Sequence, residues 1–201
     1  MLRNWQNAIW IDDLPFSNRL NVLWVYGQYQ ELYNQQIDNV NVTYSEFLPD
    51  LKEVSKNGVK LIVIDDLMEE FSRNDKASYL FTRGSHHMNI SVIFIVQNFF
   101  HQSKHMRTIS LNSQYLILLS NFRDQNQIDF LGKQLFKDKS KSFRQAYLDA
   151  TSKPFGYLLI DLKPDTPNKY RLRTQITEEE LPPSMRSKAI SFAPLYYIIH
   201  D

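Results

Sequence analysis

The stretch KLIVIDDLMEEF, residues 60–71, sets two adjacent carboxylates, Asp65 and Asp66, directly after an apolar, β-favouring run. Two acids at the end of a buried strand can divide a hydrolytic task. One engages the water shell of a magnesium ion, and the other orients or deprotonates an attacking water. The same residues suit a plainer role, because Asp66 with Glu69 three positions later is a capping-box pattern for a following helix. Both roles are open on this stretch alone. A second apolar run, VIFIVQN, delivers Gln97 and Asn98. An amide at Gln97 can hold an attacking water or sense a terminal phosphate, or simply end a strand with its hydrogen bonds satisfied.

Other constellations are weaker. His86 and His87 are adjacent and His101 and His105 are four apart, but no cysteine and no clustered acid completes a tetrahedral metal set. Lys104, His105 and Arg107 follow Phe99 and Phe100, a mixture of cations and aromatics found in nucleic-acid channels and also on ordinary solvated loops. No nucleophile-elbow pattern is present. A phosphate-cradling loop needs G-x-x-x-x-G-K-[ST]. The five glycines are Gly27, Gly58, Gly84, Gly132 and Gly156, and only Gly132 precedes a lysine, in a GKQ that lacks the hydroxyl residue.

The elements that must position these groups alternate. RLNVLWVYG, residues 19–27, reads as a buried strand ended by Gly27, and VNVTYSEF as a shorter one. LPDLKEVSKNG reads as a helix with Pro49 near its first turn and Gly58 just past its end. VKLIVIDDL shows no polar alternation, as expected of a central parallel strand covered on both faces. DKASYLFTRGSHH reads as a helix, NISVIFIVQNFF and QYLILLSN as two more buried strands, and RDQNQIDFLGKQLF and KSFRQAYLDATSK as amphipathic helices. FGYLLIDLK and KYRLRTQI form a hairpin across PDTPN, and Trp5, Ile9 and Trp10 have the spacing of a short amphipathic helix. The pattern predicts an α/β fold with a largely parallel sheet flanked by helices. Asp65, Asp66, Gln97 and Asn98 fall at predicted carboxyl ends of strands, where open α/β sheets bind ligands.

Composition sets the outer bounds. At 201 residues, 43% hydrophobic and 22% charged, the chain is ordinary globular material of one domain. A formal net charge of +1 makes no case for or against nucleic acid, so any DNA contact must come from a local basic face. The absence of cysteine excludes disulfides and fits a reducing compartment. No apolar run reaches the length of a membrane span, and MLRNWQNAIW is no signal peptide.

Taken in order, LIVIDDLM, the long series from LFTRGSHHMNISVIFIVQNFF through NFRDQNQIDFLGKQLF, and QAYLDATSKPFGYLLIDLKPDTPNKYRLRT resemble the DNA-packaging ATPases of large DNA viruses and Polinton/Maverick elements, of the FtsK/HerA branch of P-loop ATPases. The resemblance covers about residues 20–177 and is densest from 61 to 174. It implies a P-loop NTPase fold over 1–177, truncated at the N-terminus with loss of its Walker A strand and loop or decayed to a non-hydrolysing copy, with 178–201 as a tail. It implies Asp65 and Asp66 as Walker B acids, Asp65 on the magnesium, and Gln97 as the glutamine of the sensor strand. An arginine given to the neighbouring subunit's nucleotide would be Arg83, Arg107 or Arg123, with Arg107 and Arg123 favoured. Lys104 and Arg107 would meet DNA from a pore loop. ATP and Mg²⁺ would be the cofactors, and double-stranded DNA, further copies in a homo-oligomeric ring and capsid or portal components the partners, in nucleus or virion and with no membrane.

Overall fold

The computed structural model describes residues 20–34, 39–72, 75, 79–96 and 104–174. Gln97 to His101, the expected N-terminal helix and the 178–201 tail lie outside them. The described chain forms two compact units that meet in sequence between Ser113 and Gln114.

In the first unit, β1 (Leu20–Tyr26), β2 (Val40–Ser45), β3 (Leu61–Asp65) and β4 (Ser91–Ile95) make an all-parallel sheet in the order β2-β1-β3-β4. All five residues of β3 are buried, as its unbroken apolar run requires. β2, at one margin of the sheet, alternates and exposes Asn41 and Thr43. The register sets Tyr26 of β1 opposite Asp65 of β3, and Asp65 opposite Ile95 of β4. One face of the sheet, carrying Leu23, Val25, Ile62, Ile64, Val92 and Phe94, packs on the helical layer through Val54, Leu67, Phe71, Leu80, Phe81, Met106 and Ile109.

The helices are α1 (Leu51–Lys56), α2 (Met68–Ser72), α3 (Ser85–Met88), preceded by a π-helical turn at Leu80–Gly84, and α4 (Lys104–Asn112). The π-helical turn and α3 fall in or just after DKASYLFTRGSHH, the stretch that reads as a helix. α1 starts and stops where its sequence dictates. The Asp50 carboxylate accepts from the Lys52 N–H at 2.8 Å. At the other end the N–H groups of Gly58 and Val59 reach back to the carbonyls of Ser55 and Val54, a closure that needs the left-handed φ of +68° at Gly58.

The second unit holds β5 (Tyr115–Leu119), β6 (Tyr157–Asp161) and β7 (Leu172–Arg173) in an antiparallel sheet of order β5-β6-β7, with α5 (Asn126–Phe136) and α6 (Ser140–Ala150). The expected hairpin of β6 and β7 is present, pairing Leu159 with Arg173. The Asp161 carboxylate, 3% exposed, anchors it by accepting from Arg173 and from the Lys163 N–H. β5 departs from expectation: it is not a third strand of the parallel series. Two consecutive helices return the chain to the end of the sheet it left, so β6 runs against β5. An apolar run reports that both faces are covered and says nothing about direction. Gly132 lets α5 and α6 close together, since a Cβ there would lie 2.8 Å from Phe143. Arg144 ties the same pair to Asp129 and Gln125. No described helix is long and apolar enough to cross a membrane.

Gly58→Ala should lower stability by about 1 kcal/mol, the approximate cost of a left-handed L-residue, read from the midpoint of denaturant unfolding. An unchanged midpoint would mean that the closing turn of α1 is not held as described.

Candidate functional site

Alternation along β3 puts Ile62 and Ile64 on the helical face and Asp65 on the other, beside Tyr26 of β1. Onto that second face a 3-10 turn, Glu31–Asn34, lays Tyr33. The Tyr33 hydroxyl donates to Asp65 Oδ2 at 3.2 Å, and both residues are buried, at 6% and 8% exposure. The Tyr33 ring stacks on Tyr44 at 5.0 Å between centroids and meets Tyr26 at 5.0 Å, Tyr29 at 5.7 Å and Trp24 at 5.8 Å. Five aromatic rings thus gather over the carboxyl ends of β1 to β3, around one carboxylate.

That setting governs the acid. Burial pushes the Asp65 carboxyl above the usual range and the neighbouring Asp66 charge adds to the rise, while donation from Tyr33 and the nearby Trp24 dipole offset part of it. The Tyr33 phenol is likewise driven up, first by burial and then by the Asp65 charge. It therefore stays protonated and acts as a donor.

Asp66 differs in every respect. Its side chain is exposed and its backbone takes a φ of +56°. Gly27 makes room for this turn: its N–H donates to the Asp65 carbonyl at 3.0 Å, and a Cβ on it would lie 2.6 Å from the Asp66 carbonyl oxygen. α2 begins at Met68, and the Phe71 N–H donates to the Leu67 carbonyl. The pair is one covered acid and one exposed acid at a strained corner. Sparsely populated backbone of this kind gathers at functional sites.

The remaining candidates scatter. Gln97 lies outside the described residues, two positions beyond Ile95, the partner of Asp65 in the ladder. Lys104 and Arg107 are exposed, but on helix α4 rather than on a loop. Met106 and Ile109 bury one face of that helix, which turns Lys104 and Arg107 outward three residues apart. Arg123 belongs to the second unit, exposed, with its N–H bonded to Asn121 Oδ1. His105 pairs with Asp75 at 3.6 Å. Among the described residues no group of three or more histidines, cysteines or acids could hold a metal.

Sequence reasoning missed Tyr33 and its aromatic neighbours. Their signal was present as Trp24, Tyr26, Tyr29 and Tyr33 within ten residues. A magnesium ion bound with substrate phosphates needs only one or two carboxylates, so the donor type of Asp65 and Asp66 fits it. Access is the constraint, because Tyr33 occupies Oδ2.

The acid's raised pKa gives a signed expectation. The folded state holds the Asp65 proton more tightly than the unfolded chain, so this group's contribution is fully present below its ordinary value of 3.8 and is lost as pH rises through the folded value. Asp65→Asn, which still accepts from Tyr33, should be more stable than wild type at pH 7, and the difference should vanish in acid. Tyr33→Phe should instead cost about 1.5–3 kcal/mol, as for loss of a hydrogen bond to a charged group. Denaturant titrations at the two pH values check both, and an Asp65→Asn protein no more stable than wild type at pH 7 contradicts the account.

No protein-family model, no curated protein and no solved structure matches this chain. The geometry by itself makes it an α/β protein with an all-parallel four-stranded sheet flanked by helices, compatible with a Rossmann-like or P-loop-like fold.

Proposed function

We propose that the chain is part of an ATP-driven DNA-packaging or translocation motor of the FtsK/HerA type, of the kind carried by large DNA viruses and Polinton elements. The observation that carries this reading is the Asp65–Asp66 pair closing the fully buried strand β3 of a parallel sheet, at the edge where such sheets bind ligands, with β4 beside it running toward Gln97. In this reading the fold is of the P-loop class. Asp65 would hold the magnesium of bound ATP through water, Asp66 would orient or deprotonate the attacking water, and Gln97 would act at the terminal phosphate. The magnesium would neutralise charge on the phosphates. Arg107 or Arg123 would serve a neighbouring copy in a ring, and Lys104 and Arg107 would touch double-stranded DNA without reading its sequence. Capsid or portal components would be further partners, and nucleus or virion the setting. These 201 residues contain no Walker A loop, so the phosphate cradle has to be supplied from outside them.

A second reading, a non-hydrolysing ring subunit or DNA-binding domain, is favoured by one observation. Tyr33 covers the acid on which hydrolysis would depend.

A fusion carrying a strand and a glycine-rich G-x-x-x-x-G-K-[ST] loop ahead of Met1 tests both. The motor reading expects magnesium-dependent ATP turnover that falls at least about a hundredfold in Asp65→Asn, the scale for losing a group that stabilises transition-state charge. Turnover unchanged by Asp65→Asn sinks the acid assignment. A fusion that binds duplex DNA in a salt-dependent way yet turns over no ATP leaves the second reading standing.

A further inference from the structure

The second unit carries a feature that the motor reading does not use. Phe122 and Phe155 are 84% and 82% exposed, the highest values among the described large apolar side chains of this unit. Both lie at one end of the β5–β6 ladder. The register pairs Leu119 with Tyr157, so Phe122 follows three residues after one strand end and Phe155 comes two before the other strand begins.

Both segments are held. The Tyr147 hydroxyl donates to the Leu119 carbonyl at 3.0 Å and accepts from the Asn121 N–H at 2.9 Å. Asn121 Oδ1 then accepts from the N–H groups of Arg123 and Asp124. The Tyr147 carbonyl accepts from Thr151 Oγ1 at 2.8 Å, at the start of the turn that presents Phe155. Tyr147, 3% exposed, therefore organises both sides from below. Gly156 completes that turn by donating to the Lys153 carbonyl, in a space where a Cβ would meet the Ala150 carbonyl at 2.4 Å.

Phe155 bears two separate costs. It exposes an aromatic ring to water, and its backbone has a φ of +61°, where a bulky residue is an outlier and Asn or Gly would sit more easily. Rigid aromatic side chains backed by Arg are the residue types that anchor protein interfaces. The charges around the pair are balanced: Arg123 and Lys153 are exposed cations, and Asp149 is an exposed acid with Asp124 half-buried beside Arg123. A strand of nucleic acid would want an excess of cations here. A two-fold contact wants each patch to offer both signs to its own copy. The whole chain, at +1, sets up little repulsion between copies.

We infer that this end of the second unit, with Phe122 and Phe155 as its anchors, is a self-association face on which two copies of the chain pair across a two-fold axis. The contact is independent of nucleotide and of the Asp65 site.

Sedimentation velocity over a concentration series, on the full chain, tests it. Wild type should show a reversible monomer–dimer equilibrium. Phe122→Ser and Phe155→Asn should each weaken it at least about tenfold, the threshold expected of an interface anchor. Phe155→Asn should in addition raise the thermal midpoint of the dilute monomer, because Asn relieves the left-handed backbone. That opposite movement of stability and association is not expected of a merely structural side chain. A wild-type chain that stays monomeric overturns the inference, as does a dimer indifferent to both substitutions. Assemblies larger than dimers that survive both substitutions overturn it too, while leaving a ring built on another face intact.

Discussion

A carboxylate at the end of a strand that water barely reaches has to be met by a donor, and the Tyr33 hydroxyl meets Asp65. Much of the first unit's upper edge is arranged around that bond. The 3-10 turn at Glu31–Asn34 carries Tyr33 to the place where it makes the bond. Trp24, Tyr26 and Tyr44 supply the floor on which its ring rests. Burial keeps the acid above its ordinary range despite donation from Tyr33. Such a group is costly in a fold that has no use for it. Its retention beside a second acid on strained backbone is a reason to look for function at this corner.

The corner also shows how a small residue can set the geometry of a charged one. Gly27 ends β1 against the Asp65–Asp66 peptide and gives way to the Asp66 carbonyl. Asp66 is therefore held out toward solvent while Asp65 is held in. Two identical side chains, adjacent in sequence, are given different electrostatic surroundings by the way two strands end. Separating paired acids in this manner is how a fold can ask one to bind and the other to titrate.

Most of this architecture was legible in the residues. The apolar runs at Leu20–Tyr26, Leu61–Asp65 and Ser91–Ile95 read as buried strands, and the all-parallel four-stranded sheet follows that pattern. Asp50 and Gly58 marked the ends of α1 because capping chemistry is local. Strand direction in the second unit was not legible, since it depends on how many helices lie between β5 and β6 and on which face they cover. The left-handed backbone at Asp66 was hidden for a similar reason, because the close approach of Gly27 comes from a distant part of the chain. Tyr33 could be read from the sequence only as one of a run of closely spaced aromatics, because a tyrosine in a polar stretch carries no periodicity that ties it to an acid. Only the folded sheet shows that it lands on Asp65.

The aromatic gathering over β1 to β3 has an optical consequence. Trp24 lies within 5.8 Å of Tyr33 and 6.5 Å of Tyr44, so light absorbed by either phenol is handed to the indole instead of being emitted. The colour and yield of Trp24 emission thus encode whether Tyr33 is seated on the acid or lifted from it. The fold has placed its own reporter beside the carboxylate whose access is in question.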